Sequence, residues 1–399
     1  MTHKTTSAEN KVHSATNFLE HVQRLIPLIA GAADPAERDH QLPENLLDAL
    51  HQNSLFRLLL PKPFGGYELD PASFCKIIEA VAKIDASTSW CLCQANGCAM
   101  AAAFVPDQVA AEIWDANKKA ILAWGPGKGE AVRRGNHYRL TGSWSFVSGG
   151  RHATWLGGHA TLREENGDPL CDDNGQIMIR TFLFPSAEAT MTKDWDVIGL
   201  LGTGSDKFSV TDIIVPAAHM LARDQDSARH YQAPLYLFPA ASLYASGFAG
   251  TALGIARTML DSFKELVLEK TPRLEQQPLH ENAVIQTEVG QSEARLNAAR
   301  TFLLSELEDI WSAVTASQSV TVTQRMRIRL ASTHAIHEAR AVADVVYDAA
   351  GASAIFAGSP FQRRFRDIHT VAQQIQGRKS HFQTVGSFLL GHPPDLTMS

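Results

Sequence analysis

Tyr138-Arg-Leu-Thr-Gly-Ser-Trp-Ser-Phe-Val-Ser-Gly-Gly-Arg-His-Ala-Thr-Trp155 alternates polar and apolar residues and then breaks at Ser148-Gly149-Gly150. The alternation predicts two short strands, joined at Thr141-Gly142 and ending in an exposed Ser-Gly-Gly turn. Two adjacent glycines let backbone amides approach a ligand edge, and Trp144, Phe146 and Trp155 offer flat apolar walls. The stretch therefore suits a planar ligand as well as an ordinary hairpin.

The period of two extends outward from about Lys119 to Arg223. Ile121 to Trp124, Ile177 to Phe184 and Phe208 to Val215 are further strand candidates, separated by Gly, Asn, Asp and Pro clusters. On either side the period becomes helical. Upstream, Phe18, Val22, Leu25 and Ile29 mark one helix, Leu46, Leu47 and Leu50 a second, and Phe74, Ile77, Ile78 and Val81 a third, with the breaker-rich Pro61-Lys-Pro-Phe-Gly-Gly-Tyr67 between the last two. Ser87 or Ser89 is the candidate cap of the apolar helix that follows. Downstream of Pro234, stripes from Phe248 to Leu266, from Ile285 to Val314 and from Val322 to Ala350 predict long helices, the last stopped by Gly351. Gly250 and Gly254 would let one of these helices approach a neighbour closely. The order gives an α+β architecture: an N-terminal helical domain over 1–118, a small β-barrel or sandwich over 119–230, and a C-terminal four-helix bundle over 231–399.

With 399 residues, 45% hydrophobic and 20% charged, the chain has enough apolar content for a substantial core. A formal net charge of −6 provides no cationic field for nucleic acid. Met1–Lys11 lacks an apolar leader core and no later run has the apolar length to span a bilayer, so a cytoplasmic location without membrane contact is expected. The five cysteines, Cys75, Cys91, Cys93, Cys98 and Cys171, fit reduced thiols. No second CxxC or His pair accompanies Cys91-Leu-Cys93, and no third ligand accompanies His334-x-x-His337-Glu338, so no metal is expected. Arg325, Arg327 and Arg329 read as a solvated charge run, with phosphate binding as the alternative, and Arg363, Arg364 and Arg366 as an inter-subunit salt bridge.

Four blocks in this order resemble the acyl-CoA dehydrogenase superfold, and within it the two-component flavin monooxygenases. They are Pro61-Lys-Pro-Phe-Gly-Gly66, Leu140-Thr-Gly-Ser-Trp-Ser-Phe-Val-Ser-Gly149, Trp195-Asp-Val-Ile-Gly-Leu-Leu-Gly-Thr-Gly-Ser205 and Pro360-Phe-Gln-Arg-Arg-Phe-Arg-Asp-Ile-His369. The resemblance implies a flavin, FAD or FMN, between the β-domain and the C-terminal bundle of a homotetramer. It makes Phe146, Val147 and Ser148 flavin neighbours, with Ser148 near the ring's reactive nitrogen. Trp124 and Gly125 end a flavin-facing strand, and Gly202, Thr203, Gly204 and Ser205 suit the flavin or its phosphate. Arg273 is a candidate for a neighbouring subunit's phosphate, and Gln374 for a hydrogen bond to the cofactor.

The same resemblance leaves two chemistries. A dehydrogenase takes its base from the run Arg366-Asp-Ile-His-Thr-Val-Ala-Gln-Gln-Ile-Gln-Gly377, which holds no Glu; Gln374 and Gln376 are not bases. An oxygenase uses reduced flavin and O₂ through a C4a-hydroperoxide to oxygenate a small aromatic compound, and needs hydroxyl, amide or imidazole donors, for which Ser148, His369 and His381 are the catalytic candidates. No dinucleotide fingerprint is present, since Gly125-Pro-Gly-Lys-Gly129 leads into a strand, so a separate NAD(P)H-dependent flavin reductase is implied. A dehydrogenase with an atypically placed base and a non-catalytic bundle are the alternatives.

Overall fold

The computed structural model describes residues 15–222 and 226–396; the leader reading of Met1–Lys11 lies outside them. Five helices come first: α1 (Ala15–Asp39), α2 (Glu44–Gln52), α3 (Pro71–Ala82), α4 (Ala86–Ala99) and α5 (Asp107–Ala110). Helix α4 buries every residue except Gln94, so it runs through the centre of the molecule rather than along its surface. Its N-cap is Asp85, whose carboxylate accepts from the Thr88 amide at 2.7 Å. Ser89, one of the two serines expected there, instead donates to the Ile78 carbonyl at 2.9 Å, since a hydroxyl one turn inside the helix finds a nearer acceptor outside it. Asp85→Ala is expected to lower stability by about 1–2 kcal/mol, read from the urea midpoint. Buried Arg57 donates to the carbonyls of Phe64, Trp114, Asn117 and Lys118, tying the Pro61–Gly66 loop to the end of this helical layer.

The sheet contains β1 (Leu122–Trp124), β2 (Gly127–Arg134), β3 (His137–Trp144), β4 (Trp155–Arg163), β5 (Ile179–Pro185), β6 (Thr190–Thr192), β7 (Lys207–Pro216) and β8 (Met220–Leu221). Its order is β6-β7-β3-β2-β4-β5-β8, with β1 paired to β4. Strand β3 is one continuous strand; the joint expected at Thr141-Gly142 is a shift of register against β7. Trp144 is fully buried, and its indole lies on Gly129, Gly142 and Gly158, where an added Cβ would come within 2.6, 2.5 and 2.8 Å of the ring. It is therefore a core ring of the β-layer and not a ligand wall. Trp155 likewise faces elsewhere, stacking on His219 at 5.7 Å between ring centroids. The Ser148-Gly149-Gly150 turn, expected to be exposed, is buried because α4 packs over it.

The C-terminal layer consists of α6 (Ala240–Glu269), α7 (Ala283–Ser317), α8 (Val322–Ala350), α9 (Gln362–Gln373) and α10 (Ser380–Leu389). A capping box of Thr321 and Gln324 starts α8, and Gly351 at φ 56° ends it. Gly250 and Gly254 of α6 lie against the backbone of α3, where a Cβ would fall 2.8 Å from the Cys75 carbonyl and 2.5 Å from that of Glu79. Arg363 and Arg366 of α9 pair with Glu37 of α1 within the same chain, at 2.6 and 2.5 Å. Cys75, Cys91, Cys93 and Cys98 are free and buried, and Cys171 is free and exposed. Among the described residues no helix is long and apolar enough to cross a membrane, and no cluster of metal-ligating side chains forms.

Candidate active site

A cavity of about 1210 Å³ opens where the three layers meet. Helix α4 contributes Trp90 and Gln94, and β1 with the following turn contributes Trp124 and Gly125. The strand-end loops give Phe146, Ser148, Trp195, Thr203 and Ser205; α6 gives Tyr244 and Phe248, and the α9 region gives His369 and Gln374. The volume exceeds the roughly 300–1,000 Å³ of a single small-molecule site.

One wall is a stack of rings. Trp90 lies on Phe248 at 3.8 Å with an interplanar angle of 18°, and Tyr244 continues the stack at 6.0 Å. Opposite, Phe146 meets Trp195 edge-on at 6.0 Å. Phe146 is held at φ 56°, a left-handed conformation that a bulky residue adopts only when its surroundings impose it, and its ring stays 63% exposed at the rim. Its neighbour Val147 turns inward and is fully buried beneath the cavity floor.

A chain of hydroxyls crosses the floor. The Trp90 Nε1–H donates to Ser148 Oγ at 2.9 Å, Ser148 Oγ lies 2.7 Å from Ser205 Oγ, Ser205 Oγ lies 2.7 Å from Thr203 Oγ1, and Thr203 Oγ1 donates to the Leu200 carbonyl at 2.8 Å. An indole N–H can only donate and a carbonyl can only accept, while each hydroxyl carries one proton. The direction is thereby set: Trp90 to Ser148 to Ser205 to Thr203 to Leu200. Ser148 has used its proton, so its remaining capacity toward the cavity is to accept. The chain is anchored from below, where the Leu200 amide donates to Asp367 Oδ1 at 2.6 Å. Asp367 is 3% exposed, and burial raises its carboxyl to about 7.

On the far wall, His369 Nε2 lies 2.8 Å from Asp344 Oδ1 of α8, which orients the imidazole and leaves Nδ1 as the other ring atom. The Gln374 side-chain oxygen accepts from the Gln376 amide at 2.8 Å, while its buried Nε2 has no partner. Among the described residues no Asp or Glu lines the cavity.

Of the residues anticipated from sequence, Trp124, Gly125, Phe146, Ser148, Thr203, Ser205, His369 and Gln374 share this cavity. Gly202 and Gly204 shape the loop beneath without facing it; at Gly204, φ 47° and a Cβ position 2.2 Å from the His40 carbonyl admit only glycine. His381 is off the wall, its Nε2 2.8 Å from the Ile375 carbonyl on the other side of the 374–377 turn. Arg273 is exposed in the loop between α6 and α7, away from the cavity. Reading the sequence missed three contacts. Asp344 is 25 residues from His369 on another helix, the Trp90 indole N–H meets Ser148 across 58 residues, and Trp195 packs on Phe146 across 49, so no local spacing connects them.

An isoalloxazine ring has carbonyl acceptors and N–H donors along its edge, with two apolar faces. The unpartnered Gln374 amide, the accepting Ser148 hydroxyl and the ring-lined walls fit that group, and the volume leaves room for a second ring system.

Comparison with known proteins agrees with this fit. The acyl-CoA dehydrogenase N-terminal domain matches residues 15–111 and the C-terminal domain matches 246–378. Indole-3-acetate monooxygenase of Pseudomonas putida is 29% identical over 92% of this chain and 93% of its own length. The flavin-dependent monooxygenase oxygenase subunit HsaA of Rhodococcus jostii is 25% identical over 88% of this chain and 92% of its own. The crystal structure of the HsaA monooxygenase from M. tuberculosis superposes with a TM-score of 0.87 at 24% identity, covering 97% of this chain and all of that one, which shows the fold. With both terminal domains matched in order and flavin-dependent monooxygenases among its full-length relatives, the chain belongs to the acyl-CoA dehydrogenase family.

Proposed function

We propose that this chain is the oxygenase component of a two-component flavin-dependent monooxygenase, acting on a small aromatic or indole-like compound. The observation that carries the reading is the cavity wall: rings, amides and hydroxyls, with no carboxylate among the described residues to abstract a proton α to a thioester. A dehydrogenase is disfavoured on the same ground. The parts divide as 1–118, 119–230 and 231–399. A homotetramer completes the sites, with Arg273 reaching a neighbour's flavin phosphate, and a separate NAD(P)H-dependent reductase delivers the reduced flavin.

Reduced flavin, when bound, supplies the two electrons that activate dioxygen. The chain's own residues do the rest. Phe146 and Trp124 bound the ring, Gln374 offers its free amide to a ring carbonyl, and Ser148 accepts from a ring N–H. A floor that only accepts favours a nitrogen bearing hydrogen, as in reduced flavin, over the bare nitrogen of the oxidised ring. The Trp90, Phe248 and Tyr244 stack excludes water and orients an aromatic substrate. His369, held by Asp344, takes the proton that a phenol or indole loses on oxygenation.

The test is rapid mixing of the protein, loaded with chemically reduced flavin, with oxygenated buffer while following near-ultraviolet and visible absorbance. A transient that outlasts the reoxidation of free flavin supports the oxygenase. Direct return to oxidised flavin supports the dehydrogenase, and failure to bind flavin supports a non-catalytic bundle. For the dyad, Asp344→Asn is expected to lower kcat about tenfold and displace the pH–rate profile, with KM for substrate little changed. An unchanged profile removes Asp344 from a positioning role.

A further inference from the structure

Arg329, grouped by sequence with a solvated charge run, is only 2% exposed. Arginines at alternate positions of a helix fall on different faces, and this one turns inward from α8. Its Nη1 donates to Gln376 Oε1 at 2.7 Å, while its Nη2 is buried without a partner. Among the described residues no carboxylate pairs with it; burial and the neighbouring Arg325 pull it down to about 10. A buried guanidinium without a counter-charge costs several kcal/mol unless something compensates it.

The guanidinium borders a second cavity of about 130 Å³, shared with Ile375, Arg378, Ser380, His381, Thr384 and Asp395. Ser380 begins α10, so the positive end of this helix lies at the same region, with the His381 and Phe382 amides donating to the Arg378 and Lys379 carbonyls at 3.1 and 3.0 Å. The surroundings are mainly basic: Arg325 and Arg329 from α8, and Arg378 and Lys379 from the segment entering α10, while burial holds the His381 imidazole below its ordinary value. Asp395, on the exposed tail, is the acid of the lining. At about 30 Å³ per water the space holds a group of a few heavy atoms.

We propose that this cavity is a binding site for a phosphate-type oxyanion, held between Arg329, Arg378 and the N-terminus of α10. Several donors converging from a buried fork, a second guanidinium, the Ser380 hydroxyl and the Thr384 hydroxyl, which now donates to the Ser380 carbonyl at 3.3 Å, suit a tetrahedral dianion better than a planar carboxylate. The site lies behind the Gln374–Gly377 turn, with Ile375 and Arg378 common to both cavities. It is separate from the flavin reading and stands or falls without it.

The experiment is calorimetric titration of the full-length protein with inorganic phosphate against chloride at fixed ionic strength, with and without saturating FAD, which fills any flavin-phosphate site. One saturable phosphate per chain that persists with FAD is expected. Arg329→Gln should weaken it about tenfold or more, the equivalent of one charge-assisted hydrogen bond. Should that variant not fold, Ser380→Ala and Thr384→Ala decide, and each should weaken binding measurably. Absence of binding overturns the site, as does binding that FAD abolishes or that the hydroxyl variants leave unchanged. Binding that emerges only in Asp395→Asn also overturns it, because the chain's own carboxylate is then the occupant.

Discussion

Ser148→Ala is expected to divert the reaction from oxygenated product toward hydrogen peroxide. The substitution removes the second member of a directed chain, leaving the Trp90 indole N–H and the Ser205 hydroxyl to find other partners in a buried setting. Loss of one such bond is worth about 1–3 kcal/mol, so the ratio of product to peroxide should fall about ten- to a hundredfold. The direction of the chain adds a second readout that does not depend on turnover: affinity for reduced flavin should fall more than affinity for oxidised flavin. Equal losses for the two redox states would mean that Ser148 serves packing alone, and unchanged coupling would remove it from the mechanism.

Asp367→Asn should stabilise the protein above neutral pH and leave it little changed in mild acid. Burial holds the native carboxyl near 7 against an ordinary value of 3.8. A raised value means that the group's contribution is fully present below the unfolded pKa and is lost as pH rises through 7. The amide cannot ionise, yet its oxygen can still accept from the Leu200 amide that Asp367 now holds. The difference in unfolding free energy should therefore grow from near zero around pH 4 to the order of 4 kcal/mol at pH 8. Urea unfolding of both proteins across that range measures it. A pH-independent loss in the variant would show that the carboxylate is ionised in the native state and stabilised by Arg366.

How far the chain was legible depended on whether a signal was local. The helical stripes, the Gly351 stop and most strands were readable because period and breakers lie within a few residues. Strand β2, Gly-Lys-Gly-Glu-Ala-Val-Arg-Arg, was legible only as the strand that Gly125–Gly129 leads into; its start at Gly127 was hidden because glycine and charge on an exposed ribbon mimic a loop, and its pairing partner explains it. Burial of charged residues was equally hidden. Nothing in Arg325-x-Arg327-x-Arg329 distinguishes the member that turns inward, and nothing beside Asp367 announces a carboxyl sealed under Leu200. Aromatic roles divided likewise. Trp144 and Phe146 are two positions apart, the first ending β3 and the second just beyond it, and only the glycine bed under the first and the left-handed backbone of the second place one in the core and the other at the rim. Ser148 could be placed by resemblance; its accepting character required the two ends of its chain, Trp90 and Leu200.

The meeting of three layers at one cavity also bears on how the protein is made. Its walls draw on α4, the β3–β4 turn, the loop before β7, α6 and α9, segments separated by more than two-thirds of the polypeptide at the extremes. No contiguous fragment contains the pocket, and a ribosome must release nearly the whole chain before the walls can assemble. Contacts of such long sequence separation form slowly, so recovery of ligand binding should trail recovery of helical content when the denatured protein is allowed to refold.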